Sequence, residues 1–142
     1  MKICVIGKFE VKVLTRNEHC PPHVHVFFDK GEMRLEFSFV HNDFEVYDTK
    51  PIKNEPLEKE IDNLITALKK KEILDMIRMR WDKIGIGTCL ENKYWDLKKK
   101  AVVDKVDANQ NTSQILKASY NISDSKTIIR LKNYEDDIEV ML

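Results

Sequence analysis

His23-Val24-His25-Val26-Phe27-Phe28-Asp29-Lys30-Gly31-Glu32-Met33-Arg34-Leu35-Glu36-Phe37-Ser38-Phe39 decides the fold. Pro21-Pro22 forces extended backbone into this stretch, and the β-branched and aromatic residues after it suit a strand. Asp29-Lys30-Gly31-Glu32 is tight-turn chemistry, and Met33, Leu35, Phe37 and Phe39 then alternate with period two. The pair therefore reads as an antiparallel hairpin with one apolar face. Toward the amino terminus, Ile3, Val5, Phe9, Val11 and Val13 continue the alternation around a bend near Gly7, and Thr15-Arg16-Asn17-Glu18 is a polar turn. On the other side, Phe44 and Val46 suggest a fourth strand. Residues Lys2 to Asp48 thus read as an antiparallel meander.

Beyond Lys50 the period changes. Leu57, Ile61, Leu64, Ile65 and Leu68 fall on one helical stripe, with Asn54 as a cap and Pro56 suited to a first turn. The phase breaks at Lys69-Lys70-Lys71, and Ile73, Ile77, Trp81 and Ile84 start a second helix that ends at Gly85 or Gly87. Thr88-Cys89-Leu90-Glu91 fits a capping box, and Leu90, Tyr94, Leu97 and Ala101 share a face, which predicts a third helix to about Lys100; Val102 to Val106 reads alternatively as strand. Asp107 to Thr112 is the linker candidate, and Ile115–Tyr120, Lys126–Leu131 and Ile138–Leu142 read as short strands. The expected fold class is α+β: an antiparallel β-meander packed by two or three helices over 1–87, with a β-rich C-terminal extension over 88–142 that either stands alone or completes the same domain.

Composition narrows the function. The 142 residues carry 24 basic and 24 acidic side chains, so no global positive field recruits nucleic acid. A chain of this length buries enough surface to fold without a metal or disulfide. No apolar run is long enough to span a bilayer. Cys4, Cys20 and Cys89 are odd in number and form no C-x-x-C pair, so the expectation is reduced thiols; with an amino terminus charged too early for a secretory signal, it is also a cytoplasmic location. Four glycines provide neither a phosphate-binding loop nor a dinucleotide fingerprint, and there is no G-x-S-x-G elbow.

All four histidines, His19, His23, His25 and His41, lie within 23 consecutive residues. On a strand, His23 and His25 point to one face, and their imidazoles can meet one ion; His19, just before the Pro-Pro corner, can fold back to join them. Zinc, manganese or iron needs three or four such donors, and Glu18, Glu32, Glu36, Asp43 or Cys20 could complete the set. A plainer reading competes: a His-x-His pair on a strand also serves as ordinary cross-strand packing. Cys20 as a nucleophile beside His19 has poor geometry, because neighbouring strand residues point opposite ways.

Around these residues, Asn17-Glu18-His19-Cys20-Pro21-Pro22-His23-Val24-His25-Val26 resembles the H-x-P-P-H-x-H signature of the domain-of-unknown-function 4160 family, small bacterial proteins. The resemblance spans roughly residues 1 to 84 and marks His19, Pro21, Pro22, His23 and His25; the part after Thr88 lies outside it. It implies a partner in a toxin–antitoxin-like or mobile-element gene module.

Two functions follow, and the sequence favours the first, because no carboxylate stands at a diagnostic spacing from the histidines. One is a protein-interaction module with a protein partner or a homo-oligomer. The other is a metal-dependent hydrolase or nuclease in which His19, His23 and His25 hold the ion and Glu18 or Glu36 is the catalytic base. Lys69, Lys70, Lys71, Arg78 and Arg80 form a candidate nucleic-acid patch, with Trp81, Tyr94 and Trp95 for stacking, although solvated helix faces explain the lysines more simply.

Overall fold

The structure is a computed structural model that describes residues 1–142. It divides into two compact units, Met1–Gly87 and Thr88–Leu142.

The first unit is the meander. β1 (Lys2–Ile6), β2 (Phe9–Lys12), β3 (His23–Phe28), β4 (Gly31–Glu36) and β5 (Glu45–Lys50) form one antiparallel sheet in chain order. The hairpin that decides the fold closes on Asp29-Lys30, pairing Phe28 with Gly31 and therefore His25 with Arg34 and Phe27 with Glu32. Gly31 is required by its neighbour, since a Cβ there would lie 2.5 Å from the Lys50 carbonyl oxygen.

Alternation sorts the two faces. Val11, Val26, Met33 and Thr49 are successive cross-strand partners and all are buried. Lys12, His25, Arg34 and Asp48 form the matching row one residue along each strand, on the polar face. A bulge between Arg34 and Leu35 skips Tyr47, which leaves the ladder and lies against the Arg34 guanidinium, 4.6 Å from ring centre to Cζ.

α1 (Glu58–Leu68) and α2 (Lys71–Lys83) follow. Glu60 accepts the Leu57 N–H at 3.1 Å, and Ile61, Leu64 and Leu68 are buried. Asn54 does not cap this helix; it sits in a short 3₁₀ turn and donates to the Lys30 carbonyl. α2 buries Leu74, Ile77, Arg78 and Trp81, and the Trp81 indole N–H donates to the Gly87 carbonyl at 2.9 Å.

The second unit is all β. β6 (Tyr94–Asp96), β7 (Ala101–Val103), β8 (Thr112–Asn121), β9 (Lys126–Leu131) and β10 (Ile138–Met141) form an antiparallel sheet in the order β10-β9-β8-β6-β7. The third helix expected from Thr88 to about Lys100 is absent. Cys89, Asn92 and Lys100 adopt positive φ, which interrupts a right-handed helix, and buried Asp96 accepts the N–H groups of Lys98 and Lys99, which turns the chain into the β6–β7 hairpin. The 3.6-residue spacing of Leu90, Tyr94 and Leu97 was therefore misleading. The expected linker at 107–112 is the turn that leads into β8. No helix of the protein is long and apolar enough to cross a membrane.

Candidate metal centre

The segment between β2 and β3 crosses the polar face of the first sheet. Its start is pinned by paired hydrogen bonds between Met1 and Val13, at 2.6 and 3.0 Å. Asn17 then takes a left-handed backbone conformation (φ 60°), which a residue with a short amide side chain tolerates. Glu18 follows, with its side chain only 5% exposed.

The Glu18 carboxylate faces both strand histidines. Its Oε1 lies 3.0 Å from His25 Nε2 and its Oε2 3.1 Å from His23 Nε2. The donor atoms of Glu18, His23 and His25 all fall within 4.8 Å of one another. Donors about 2.1 Å from a common ion, at angles of about 90 to 109°, are separated by about 3.0–3.4 Å, so both carboxylate–imidazole distances suit a shared metal.

The far side of each imidazole is also occupied. His23 Nδ1 donates to the Pro21 carbonyl at 2.7 Å, and His25 Nδ1 donates to Glu32 Oε1 at 2.6 Å. An imidazole whose Nδ1–H is committed to a carbonyl, as in His23, presents its Nε2 lone pair on the other side, the arrangement that backs metal-ligating histidines; His25 Nε2 is instead hydrogen-bonded to Glu18 Oε1, a contact that a bound ion would replace. Between Glu18 and His23 that lone pair meets a carboxylate, a contact without hydrogen-bond geometry: Glu18 Oε2 and His23 Nε2 are both buried and neither has a hydrogen-bond partner. Two buried polar atoms thus face each other at 3.1 Å without a hydrogen-bond partner, and a cation between them would satisfy both.

Packing fixes the rings. His23 is 2% exposed and stands edge-on to Trp81, with ring centres 5.4 Å apart; Tyr47 stacks on it at 6.4 Å. His25 stacks on Phe27 at 6.2 Å. Beside His25 lies a polar hollow of about 90 Å³, lined by His25, Glu32, Arg34, Asp48 and Lys50. Arg34 and Asp48 form a forked ion pair there, Nε to Oδ1 at 2.8 Å and Nη2 to Oδ2. The guanidinium holds the Asp48 carboxyl below its ordinary range, and the carboxylate raises Arg34 in return.

The other candidates fall outside this group. His19 is exposed, with Nδ1 on the Cys20 carbonyl and its ring centre 5.5 Å from that of His23. Glu36 pairs with His23 in the ladder but makes no hydrogen bond or ion pair with it. Asp43 is engaged by Lys69, and His41 accepts the Asp43 N–H. Cys20 and Cys89 are disulfide-bonded and only Cys4 is a free thiol, so Cys20 offers no thiolate; cysteine count and spacing do not encode pairing.

The expected basic patch is also broken up. Arg78 is 1% exposed and donates to the carbonyls of Ser38 and His41 and to Asn42 Oδ1, while Lys71 pairs with Asp75. A guanidinium committed to backbone carbonyls is a strut for the 38–42 turn rather than a phosphate reader.

The backing role of Glu32 was not read from the sequence. The signal was available: a two-residue turn at Asp29-Lys30 sets Phe27 opposite Glu32 and so places Glu32 diagonally across from His25. No family model, no curated protein and no solved structure matches the chain.

Proposed function

We propose that the Met1–Gly87 unit holds one divalent cation through Glu18, His23 and His25 and uses it in hydrolysis. The observation that supports this reading is the buried contact between Glu18 Oε2 and His23 Nε2, which lack any hydrogen-bond partner while both imidazoles are oriented from behind by Pro21 and Glu32. Two imidazoles and one carboxylate suit zinc, manganese or iron. Three protein donors leave at least one position for water or a substrate oxygen, and the ion supplies Lewis-acid polarisation there. Glu32 orients His25, and Trp81 and Tyr47 hold the His23 ring. In this reading Glu18 is a ligand rather than a base, and His19 lies beside the centre without joining it.

The test is elemental analysis of untagged protein purified without chelator. About one equivalent of metal is expected, lost in His23→Ala/His25→Ala and in Glu18→Gln but retained in His19→Ala, with circular dichroism unchanged. Metal-free wild-type protein that also fails to take up zinc, manganese or iron on titration would sink the reading.

A second reading is the interaction module. β1 and β5 are the open edges of the first sheet, and Val5, Val46 and Tyr47 are exposed on them. Such an edge can accept a strand from another chain. This reading goes with the toxin–antitoxin-like partner that the 19–25 signature implies and with a cytoplasmic location, against which the disulfide state of Cys20 and Cys89 weighs.

A further inference from the structure

We infer that the polar hollow beside His25 is an oxyanion subsite, in which Arg34 and Lys50 hold a phosphoryl group of the substrate. This rests on the metal-centre reading above and adds the substrate class to it.

The lining residues carry the inference. Arg34 spends Nε and Nη2 on Asp48 and lies over Tyr47, so its guanidinium plane is fixed from two sides. Its Nη1 has no hydrogen-bond partner. A fixed guanidinium with a spare edge is prepared for an oxyanion, because the rotamer entropy is already lost before the ligand arrives. Lys50, opposite Glu32 in the ladder, is exposed and forms no ion pair, unlike the other charged side chains of the hollow. It is an exposed ammonium at the rim, of the kind that meets a phosphate as a point charge.

Charge points the same way. Glu32 and Asp48 cancel Arg34 and Lys50, so the hollow alone is neutral. A divalent ion on the single Glu18 carboxylate, one imidazole away, adds an excess of one positive charge. Metal loading therefore turns a neutral hollow into one that attracts an anion. The hollow, about 90 Å³ in volume and lined by charged side chains, has room for a phosphate or a carboxylate. The phosphoryl group, with several charged oxygens, is favoured because Arg34 on β4 and Lys50 on β5 are diagonal neighbours on one face and can each take one of them.

The experiment is calorimetric titration of inorganic phosphate into the zinc-loaded full chain, with zinc content measured on the same samples. Binding is expected that depends on zinc and weakens about tenfold or more in Lys50→Gln, the loss of one charge-assisted hydrogen bond, while zinc content stays unchanged. Lys50→Arg, which keeps the charge, is expected to retain most of the affinity. Zinc-loaded protein that binds no phosphate, or binds it equally well in Lys50→Gln, overturns the subsite and leaves the metal centre standing. Protein that takes up no metal overturns both.

Discussion

Glu18 and Asp96 are two buried carboxylates in different units, and their surroundings separate a structural acid from a functional one. Asp96 ends β6, and one of its oxygens accepts the N–H groups of Lys98 and Lys99 at 2.9 Å each. Those bonds are local and satisfy a turn. Glu18 reaches from a loop to two imidazoles on a strand, and one of its oxygens has no donor at all. Each carboxylate has a buried tryptophan in its own unit: Trp81 stands against His23, and Trp95 precedes Asp96 on β6. Burial is thus common to both regions, whereas unmet hydrogen-bonding capacity beside a charge belongs to the first. Buried hydroxyls without partners also occur, Thr88 and Thr127 among them, but a neutral hydroxyl costs far less to leave unpaired than a carboxylate.

The largest test of the contrast uses the tryptophans. Trp81→Ala and Trp95→Ala are each expected to cost about 3–5 kcal/mol in urea unfolding, the usual range for emptying a buried indole site. They should diverge in metal affinity. Trp81→Ala removes the edge contact that holds the His23 ring and is expected to weaken zinc binding, whereas Trp95→Ala should leave it unchanged when measured under conditions where both variants are folded. Equal effects on zinc would break the distinction between the two regions.

A smaller effect is expected at the carboxylates themselves. Asp96→Ala removes two charge-assisted bonds to backbone N–H groups and should destabilise the protein by about 1–3 kcal/mol, with or without metal. Glu18→Gln in metal-free protein keeps an amide of the same shape that can bond to both His23 and His25, so stability should change little, while zinc binding is lost. A Glu18→Gln variant as destabilised as Asp96→Ala, and indifferent to zinc, would make Glu18 a structural acid as well.

The same contrast shows what the sequence could reveal. The His23–Phe39 hairpin and the meander were legible because alternation on a half-buried sheet follows directly from period-two side-chain geometry. Placing His23 and His25 on one face came from that same rule. The hairpin at Tyr94–Val103 was not legible, because Leu90, Tyr94 and Leu97 satisfy a helical spacing by coincidence. What overrides it is a side chain, Asp96, folding back onto its own backbone. The choice among Glu18, Glu36 and Asp43 was equally closed to pattern reading. It depends on where a ten-residue loop between strands lays its polar groups, which the turn at Asn17 settles in three dimensions. Arg78 misled for a related reason: a helical arginine reads as solvent-facing until the carbonyls of a distant turn claim it.

The smallest effect expected is at the Arg34–Asp48 pair, which lines the proposed oxyanion subsite and borders the metal centre without belonging to it. Arg34 lowers the Asp48 pKa in the folded protein, so the pair's contribution is fully present above the unfolded carboxyl value of about 3.9 and is lost as pH falls through the lower folded value. Partial exposure and salt screening limit it to about 1 kcal/mol or less at neutral pH. Asp48→Asn should therefore be slightly less stable than wild type at pH 7, and the gap should close as both are titrated toward pH 2. Because Asp48 touches neither Glu18 nor His23, the zinc affinity of this variant at pH 7 should match wild type. A gap that persists in acid would show that Asp48 acts through packing rather than charge. A loss of zinc would extend the functional region across the whole row from His25 to Asp48, and the boundary between structural and functional carboxylates would then fall outside the first sheet's polar face rather than within it.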